Sequence, residues 1–167
     1  MLEIRKYNPG LKEKFRLEKA RLADILPGSA IIEHIGSTAV GIGGKNIIDI
    51  LVGVNEDEFE NTLELLCKNG YVPGSPTGEK RIFLANTTFE TGEGDFHIHL
   101  CLNGSGEFKK FIVLRDYLIK NPSEATAYFE EKNRIAKVAN NDRHKYRELK
   151  TAYMEKLMEK ALKKASQ

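Results

Sequence analysis

The chain has 167 residues, of which 41% are hydrophobic and 30% charged, with a formal net charge of +2. That length supports one domain with a sizeable core, and the composition is that of an ordinary soluble globular protein. So small a charge, with Lys and Arg interspersed among Asp and Glu, argues against a nucleic-acid partner, and no apolar run approaches the ~20 residues of a membrane span. Cys67 and Cys101 are too few and too far apart for a disulfide scaffold and point to a reducing compartment. Leu2 to Lys6 carries no apolar signal region. The expectation is a cytoplasmic single domain.

Pro9 to Leu26 places Leu11, Phe15, Leu22 and Leu26 at near-helical spacing, and Pro27-Gly28 ends that helix. Ala30 to Ile35 and Ile47 to Val54 read as strands, the second apolar enough to be buried on both faces. Asn55 with Glu58 forms a capping-box pattern that opens a helix carrying Phe59, Leu63 and Leu66, and Gly70 closes it. Lys80 to Thr88 and Asp95 to Leu102 are two further strands, joined by a hairpin-type turn at Glu90 to Gly94. After Gly104-Ser105-Gly106 the pattern is helical: Glu107 to Lys120, Pro122 to Ala139 behind the cap Asn121, and Asp142 to Ala165. The last of these carries Tyr146, Leu149, Tyr153, Met154 and Leu157 as a core stripe. The expected fold is α/β (α+β), with a mixed sheet and helices on one face over about residues 1–104. A helical subdomain follows over about 105–167, with the other sheet face left open.

Asp49 interrupts the run Ile47-Ile48-Asp49-Ile50-Leu51-Val52. A carboxylate in a strand core needs an ion pair, a hydrogen-bond donor or a metal. Eleven residues lie between it and Ser37, whose Gly36-Ser37 turn follows a strand and precedes a helix start at Thr38. Backbone N–H groups converging at such a turn can cradle phosphate. The pair resembles the nucleotidyltransferase signature of the polymerase-β-like superfamily, in which the turn holds a triphosphate and the carboxylate a Mg²⁺ ion. A buried Asp that caps a loop also fits the residues. The superfamily strand carries a second carboxylate two residues on, where this chain has Leu51.

Alternation along Asp95-Phe96-His97-Ile98-His99-Leu100 puts Asp95, His97 and His99 on one strand face. Beside Asp49 they would form a donor set that shifts preference from Mg²⁺ towards Mn²⁺ or Zn²⁺. Two histidines on a half-exposed strand face can equally bind nothing. His34, two residues before Gly36, reads as a support for the site or a packed histidine. Lys45, Lys80 and Arg81 are the phosphate-neutralising candidates, with solvated surface charge as the other reading of the lysines. Arg115 and Lys132 interrupt apolar helix stretches, and Arg115 with Asp116 equally reads as a structural ion pair.

The motifs HIGSTAVGIGGKNIIDILV, FHIHL and FIVLRDYLIKNP, in that order, resemble the GrpB family, a bacterial group classed by fold resemblance with the nucleotidyltransferases. The resemblance extends over nearly the whole chain. It carries over to His34, Gly36, Ser37, Thr38, Lys45, Asp49, Arg81, His97, His99, Arg115, Asp116 and Tyr117. Fusion of some relatives to dephospho-coenzyme A kinase implies a link to coenzyme A metabolism. Where the family commonly has a proline after the GSTA segment, this chain reads Val40-Gly41-Ile42-Gly43, which predicts a looser loop.

Three functions are consistent with this reading. The leading one is a nucleotidyltransferase-like domain that binds a nucleoside triphosphate or other phosphorylated ligand with a divalent metal (Mg, Mn or Zn). There Gly36, Ser37, Thr38, Lys45 and Arg81 would hold phosphate. Asp49, His97 and His99 would hold the metal with Asp95 and carry the chemistry. The second is a non-catalytic binding or partner protein with the same pocket, and the third a metal-dependent hydrolase.

Overall fold

The computed structural model describes residues 3–74, 78, 80–86 and 95–166. Helix α1 (Gly10–Ile25) leads to β1 (Ile31–Ile35), a single-turn helix α2 (Gly36–Val40) and β2 (Ile48–Val54). Then come α3 (Phe59–Lys68), the short β3 (Val72–Pro73), β4 (Arg81–Ala85) and β5 (Phe96–Leu102). Three helices complete the chain: α4 (Gly106–Lys120), α5 (Pro122–Ala139) and α6 (Arg143–Ala165). The sheet order is β1-β2-β5-β4-β3. Among the described residues, only the β2–β5 pairing is parallel. It is a mixed sheet, as expected.

Local chemistry sets the element ends. The Asn55–Glu58 capping box is present, although it closes a 3₁₀ turn at Glu56–Glu58 before α3 begins. Gly70, at φ +93°, ends that segment in a conformation glycine tolerates best. The Ser105 hydroxyl accepts from the Phe108 N–H at the start of α4, and the Asp142 carboxylate accepts from the His144 and Lys145 N–H groups at the start of α6. The edge strand β3 escaped the sequence reading because Val72–Pro73 is only two residues and proline suits an edge, where its missing N–H costs nothing. Thr87, Thr88 and the turn read at Glu90 to Gly94 lie outside the described residues.

Strand alternation gives the sheet two different faces. Ile48, Ile50, Val52 and Val54 of β2 and Phe96, Ile98 and Leu100 of β5 pack against Leu11 and Leu22 of α1 and Phe59 and Leu66 of α3. Leu22, Ile50 and Leu100 are fully buried. Each such side chain contributes about 1.5–3 kcal/mol by leaving water. Asp49, Leu51, His97, His99 and Cys101 have the opposite parity. At one end of their face Leu51 and Cys101, with Ile35, meet Phe108, Phe111 and Ile112 of α4. So α1 and α3 cover one face as expected, but the second face is open only in part: α4 lies across its end. The alternation that exposes Asp49 also exposes Leu51, and an apolar residue there recruits a helix.

The C-terminal helices enclose two further cores. Leu118, Tyr128 and Leu157 pack with Val40 and Ile42 from the segment after β1, and Ile135, Ala139 and Tyr146 pack with Ile4, Leu149 and Tyr153. The aromatic-aliphatic stripe of α6 is core, as its spacing predicted. Ile42 and Val40 tie the loop around Gly36 to this helical half, which brings α5 and α6 to the polar sheet face.

Candidate functional site

Asp49 stands where β1, β2 and β5 meet. Its Cα pairs with Ile35 on one side and His97 on the other, and His99 pairs with Leu51. The parallel register therefore sets Asp49, His97 and His99 on one face, as alternation predicted. Asp49 Oδ1 lies 3.6 Å from His97 Nδ1 and 3.5 Å from His99 Nε2. The side chains keep 28% exposure for Asp49 and 19% for each histidine, so the cluster is sheltered but reachable. Phe83 stands edge-on to both imidazoles, and Phe111 of α4 walls His99 at 4.9 Å. Burial pushes the Asp49 carboxyl upward, but the hydrogen bonds and charge of His97 and His99 outweigh it and hold the group ionised, well below the usual carboxylate range.

The backbone of Gly36 forms the floor under Asp49. Gly36 has φ +73°, and a Cβ added there would fall 2.4 Å from Asp49 Oδ2. Both the left-handed conformation and the close approach exclude a side chain. Next to it, Ser37 Oγ accepts from Lys132 Nζ at 2.7 Å, and Lys132 Nζ also donates to the Gly43 carbonyl at 2.5 Å. Lys132 reaches in from α5, is 3% exposed, and lies 4.5 Å from the Tyr128 ring centroid. Burial, then the charge of Lys150, bring its pKa down to about 7, against a weaker upward pull from Asp49.

The loop that lacks the family's proline is held by other means. Gly43 fits between the Arg5 carbonyl and the Phe129 ring, each 2.4 Å from where a Cβ would stand. Arg5 and Gly44 exchange a pair of backbone hydrogen bonds. The loop is anchored where the sequence suggested a looser one.

Lys45 and Lys150 join Lys132 around the carboxylate. The Lys45 ammonium lies 5.3 Å from the Tyr146 ring centroid, and desolvation, then Lys150 and Arg143, lower its pKa. Lys150 of α6 is held charged chiefly by Tyr128 and further by Tyr146 and Asp49. Asp49 thus acts electrostatically on three lysines from three parts of the chain. Sequence reasoning missed Lys150. Its only signal is its place four residues after Tyr146 on α6, a spacing that many surface lysines share.

Other candidates serve the architecture. His34 faces the α1 side: it stacks on Phe15 at 4.2 Å and shares a 2.9 Å hydrogen bond with the Thr38 hydroxyl. Thr38 is 1% exposed and donates to the Ile47 carbonyl, so its hydroxyl is turned into the fold and only its backbone faces the turn. Burial drops the His34 pKa to about 4. Arg81 pairs with Glu107 and lies over the Phe111 ring, binding β4 to α4. Lys80 bonds Glu60, away from Asp49. Arg115 bonds Asp116, Glu33 and the His34 carbonyl, a clamp of α4 on β1 and the structural ion pair that the sequence allowed. Tyr117 packs against the Leu118–Tyr128–Leu157 core. Asp95 precedes β5 with the parity of His97, and its carbonyl accepts from the Ile48 N–H.

A divalent ion can be tested against this geometry. The 3.5–3.6 Å spacings from Asp49 to the two ring nitrogens match donors sharing an ion at ~2.1 Å. Among the described residues, however, no three His, Cys, Asp or Glu side chains stand ready as a metal cluster. The donor chemistry fits; the shell is incomplete and needs oxygens from a ligand or water.

These features define a mixed-sheet α/β protein whose polar face is organised around one carboxylate and a Gly-Ser turn. The chain belongs to the GrpB family, whose profile, described as GrpB protein, matches residues 1–160. It is 33% identical to a UPF0157 protein of Vibrio cholerae over 158 residues, 93% of this chain and 79% of that one. The crystal structure of conserved protein GrpB from Enterococcus faecalis superimposes with a TM-score of 0.85 at 30% identity, covering 99% of this chain and 100% of that chain. A terminal uridylyltransferase, Cid1, aligns with a TM-score of 0.47 at 14% identity, over 78% of this chain and 42% of its own. Among the described residues no helix is long and apolar enough to cross a membrane.

Proposed function

We propose that this GrpB-family protein binds a nucleotide or other phosphorylated small molecule at Gly36-Ser37-Thr38, together with a divalent cation at Asp49, His97 and His99. The reaction that suits the site is transfer of a nucleoside monophosphate. The observation that carries the reading is the surroundings of Asp49: two imidazoles, the bare backbone of Gly36 and the amines of Lys45, Lys132 and Lys150. Lysine amines gathered around one carboxylate, with Lys150 held charged among them, favour a multiply charged anionic ligand. Asp95 is a further oxygen donor at the start of β5. A bound ion would neutralise charge building on phosphate oxygens. The free thiols Cys67 and Cys101 support a reducing, cytoplasmic setting.

A second reading, a binding protein without turnover, has its own observation. Leu51 occupies the position of a second carboxylate and is fully buried against α4, so no repositioning supplies the missing ligand. Incubation with labelled ATP and Mn²⁺ separates the two. Pyrophosphate release with label transfer supports the first, and stoichiometric binding of intact ATP supports the second. For the metal, Mn²⁺ or Zn²⁺ should raise the melting temperature by mass action. Asp49→Asn should lose most of that rise and His99→Ala part of it. A wild type that gains nothing at millimolar excess rejects the ion.

A further inference from the structure

We propose that Ser37 and Lys132 form a nucleophile–base pair, with Ser37 Oγ accepting a phosphoryl or nucleotidyl group and Lys132 Nζ accepting the hydroxyl proton. The nucleophile rests on the Ser37–Lys132 geometry alone; only the substrate class is taken from the function proposed above.

The contact is short and closed on one side. Lys132 Nζ lies 2.7 Å from Ser37 Oγ and 2.5 Å from the Gly43 carbonyl, with the Tyr128 ring against it. The carbonyl can only accept, so it takes one N–H. The serine hydroxyl can donate or accept, and which it does depends on the charge of the amine. At 3% exposure, and with no carboxylate in ion-pair contact among the described residues, an ammonium here is costly, so the neutral amine is the comfortable form. The charged and titratable groups acting on it are Lys150 from α6, which disfavours its proton, and Asp49 from β2, which favours it, with the Tyr128 phenol on its own helix. A neutral amine with one N–H on Gly43 turns its lone pair to Ser37 and takes the hydroxyl hydrogen, the arrangement that activates a serine.

Ser37 is placed to use that activation. It follows the exposed Gly36 and is itself only partly buried, whereas Lys132 lies behind it, away from solvent. In the step, Ser37 Oγ forms a bond to phosphorus and the bond from phosphorus to its leaving group breaks. The leaving group departs with the electron pair, as pyrophosphate from a nucleoside triphosphate, and the Ser37 proton moves to Lys132 Nζ. The product is an O-phosphorylated or O-nucleotidylated serine. A thiol or hydroxyl acceptor would then complete a two-step transfer.

The test uses a fluorophosphonate, which forms the same oxygen–phosphorus bond with loss of fluoride and needs neither metal nor nucleotide. Peptide mass spectrometry should place the label on Ser37 in the wild type and find none there in Ser37→Ala. Its rate should climb about tenfold per pH unit below about pH 7 and level off above it, following the neutral amine. Lys132→Met, similar in length and apolar, should label Ser37 about 100-fold more slowly or worse. Absence of label on Ser37, a flat pH profile in the wild type, or equal rates in Lys132→Met overturns the pair. The wild-type profile decides even if Lys132→Met does not fold. ATP binding measured on the same samples reports separately: binding without labelling rejects the nucleophile and leaves the phosphate site, and labelling without binding does the reverse.

Discussion

The two faces of the sheet contain the same residue type put to opposite uses. On the α1 side, His34 is stacked on Phe15, bonded to Thr38 and driven towards neutrality by burial. On the other side, His97 and His99 converge on Asp49 and keep that carboxylate ionised. The difference lies in what each face must exclude. The α1–α3 face removes water from Ile50, Val52, Ile98 and Leu100, where a charge would lose its hydration. The Asp49 face is only part-covered by α4, keeps solvent access, and can hold a carboxylate with partners around it. A histidine's role here follows from the parity of its strand position.

That contrast can be attacked from each side. The largest effect should come from the dry face: Leu100→Ala leaves a cavity between β5 and its neighbours and should cost about 3–5 kcal/mol by denaturant unfolding. Ligand binding by the remaining folded fraction should be unchanged; lost affinity at full folding would show that the faces are not separable. Gly36→Ala attacks the polar face. It combines a left-handed backbone with an approach of 2.4 Å to Asp49 Oδ2 and should cost about 2–4 kcal/mol. Unlike Leu100→Ala, it should also abolish nucleotide binding, as measured by calorimetry.

The smallest effect is in the acid dependence of stability. His34 has a folded pKa of about 4, below its unfolded value of about 6.5. Between these values the unfolded chain takes up a proton that the folded one refuses, so stability falls as pH drops from 6.5 towards 4, by roughly 2–3 kcal/mol. His34→Asn should flatten that window in unfolding curves taken at half-unit steps. Asp49 behaves differently. Its depressed pKa contributes stability that is present above the unfolded value near 3.9 and lost only as pH falls below it. An unchanged slope in His34→Asn would move the acid sensitivity to the other face.

Much of this arrangement was legible along the chain because it depends on short-range rules. Alternation placed Asp49, His97 and His99 on a common face, and the 3.6-residue period gave the helices. Capping residues were less exact: α3 begins only at Phe59, after the 3₁₀ turn that Asn55 caps, and the Asn121 side chain donates back to the Tyr117 carbonyl instead of capping α5. The family motifs are equally local, since a Gly-Ser turn and an Asp on the next strand occupy fewer than twenty positions. Which side of the sheet His34 would take was readable in principle from parity with Ile32 and Ile50, once the antiparallel register of β1 on β2 was known. Strand pairing supplied that register, and sequence alone did not.

The company these residues keep across long separations came from packing. Lys132 stands 95 positions from Ser37, and Arg115 stands 82 from Glu33. From the last helix, Lys150 acts on Lys132 and is acted on by Asp49. A lysine carries no local mark that distinguishes a solvated surface charge from a buried amine, because its stem suits either environment. Packing makes the choice: Val40 and Ile42 enter the helical core, the loop after α2 closes on Phe129, and Lys132 is buried against Ser37 and the Gly43 carbonyl. The carboxylate, the turn and the two histidines could be read along the chain, because their spacing is set by strand and turn geometry. The gathering of Lys45, Lys132 and Lys150 around Asp49 depends on burial, which exists only once the two halves of the chain have met.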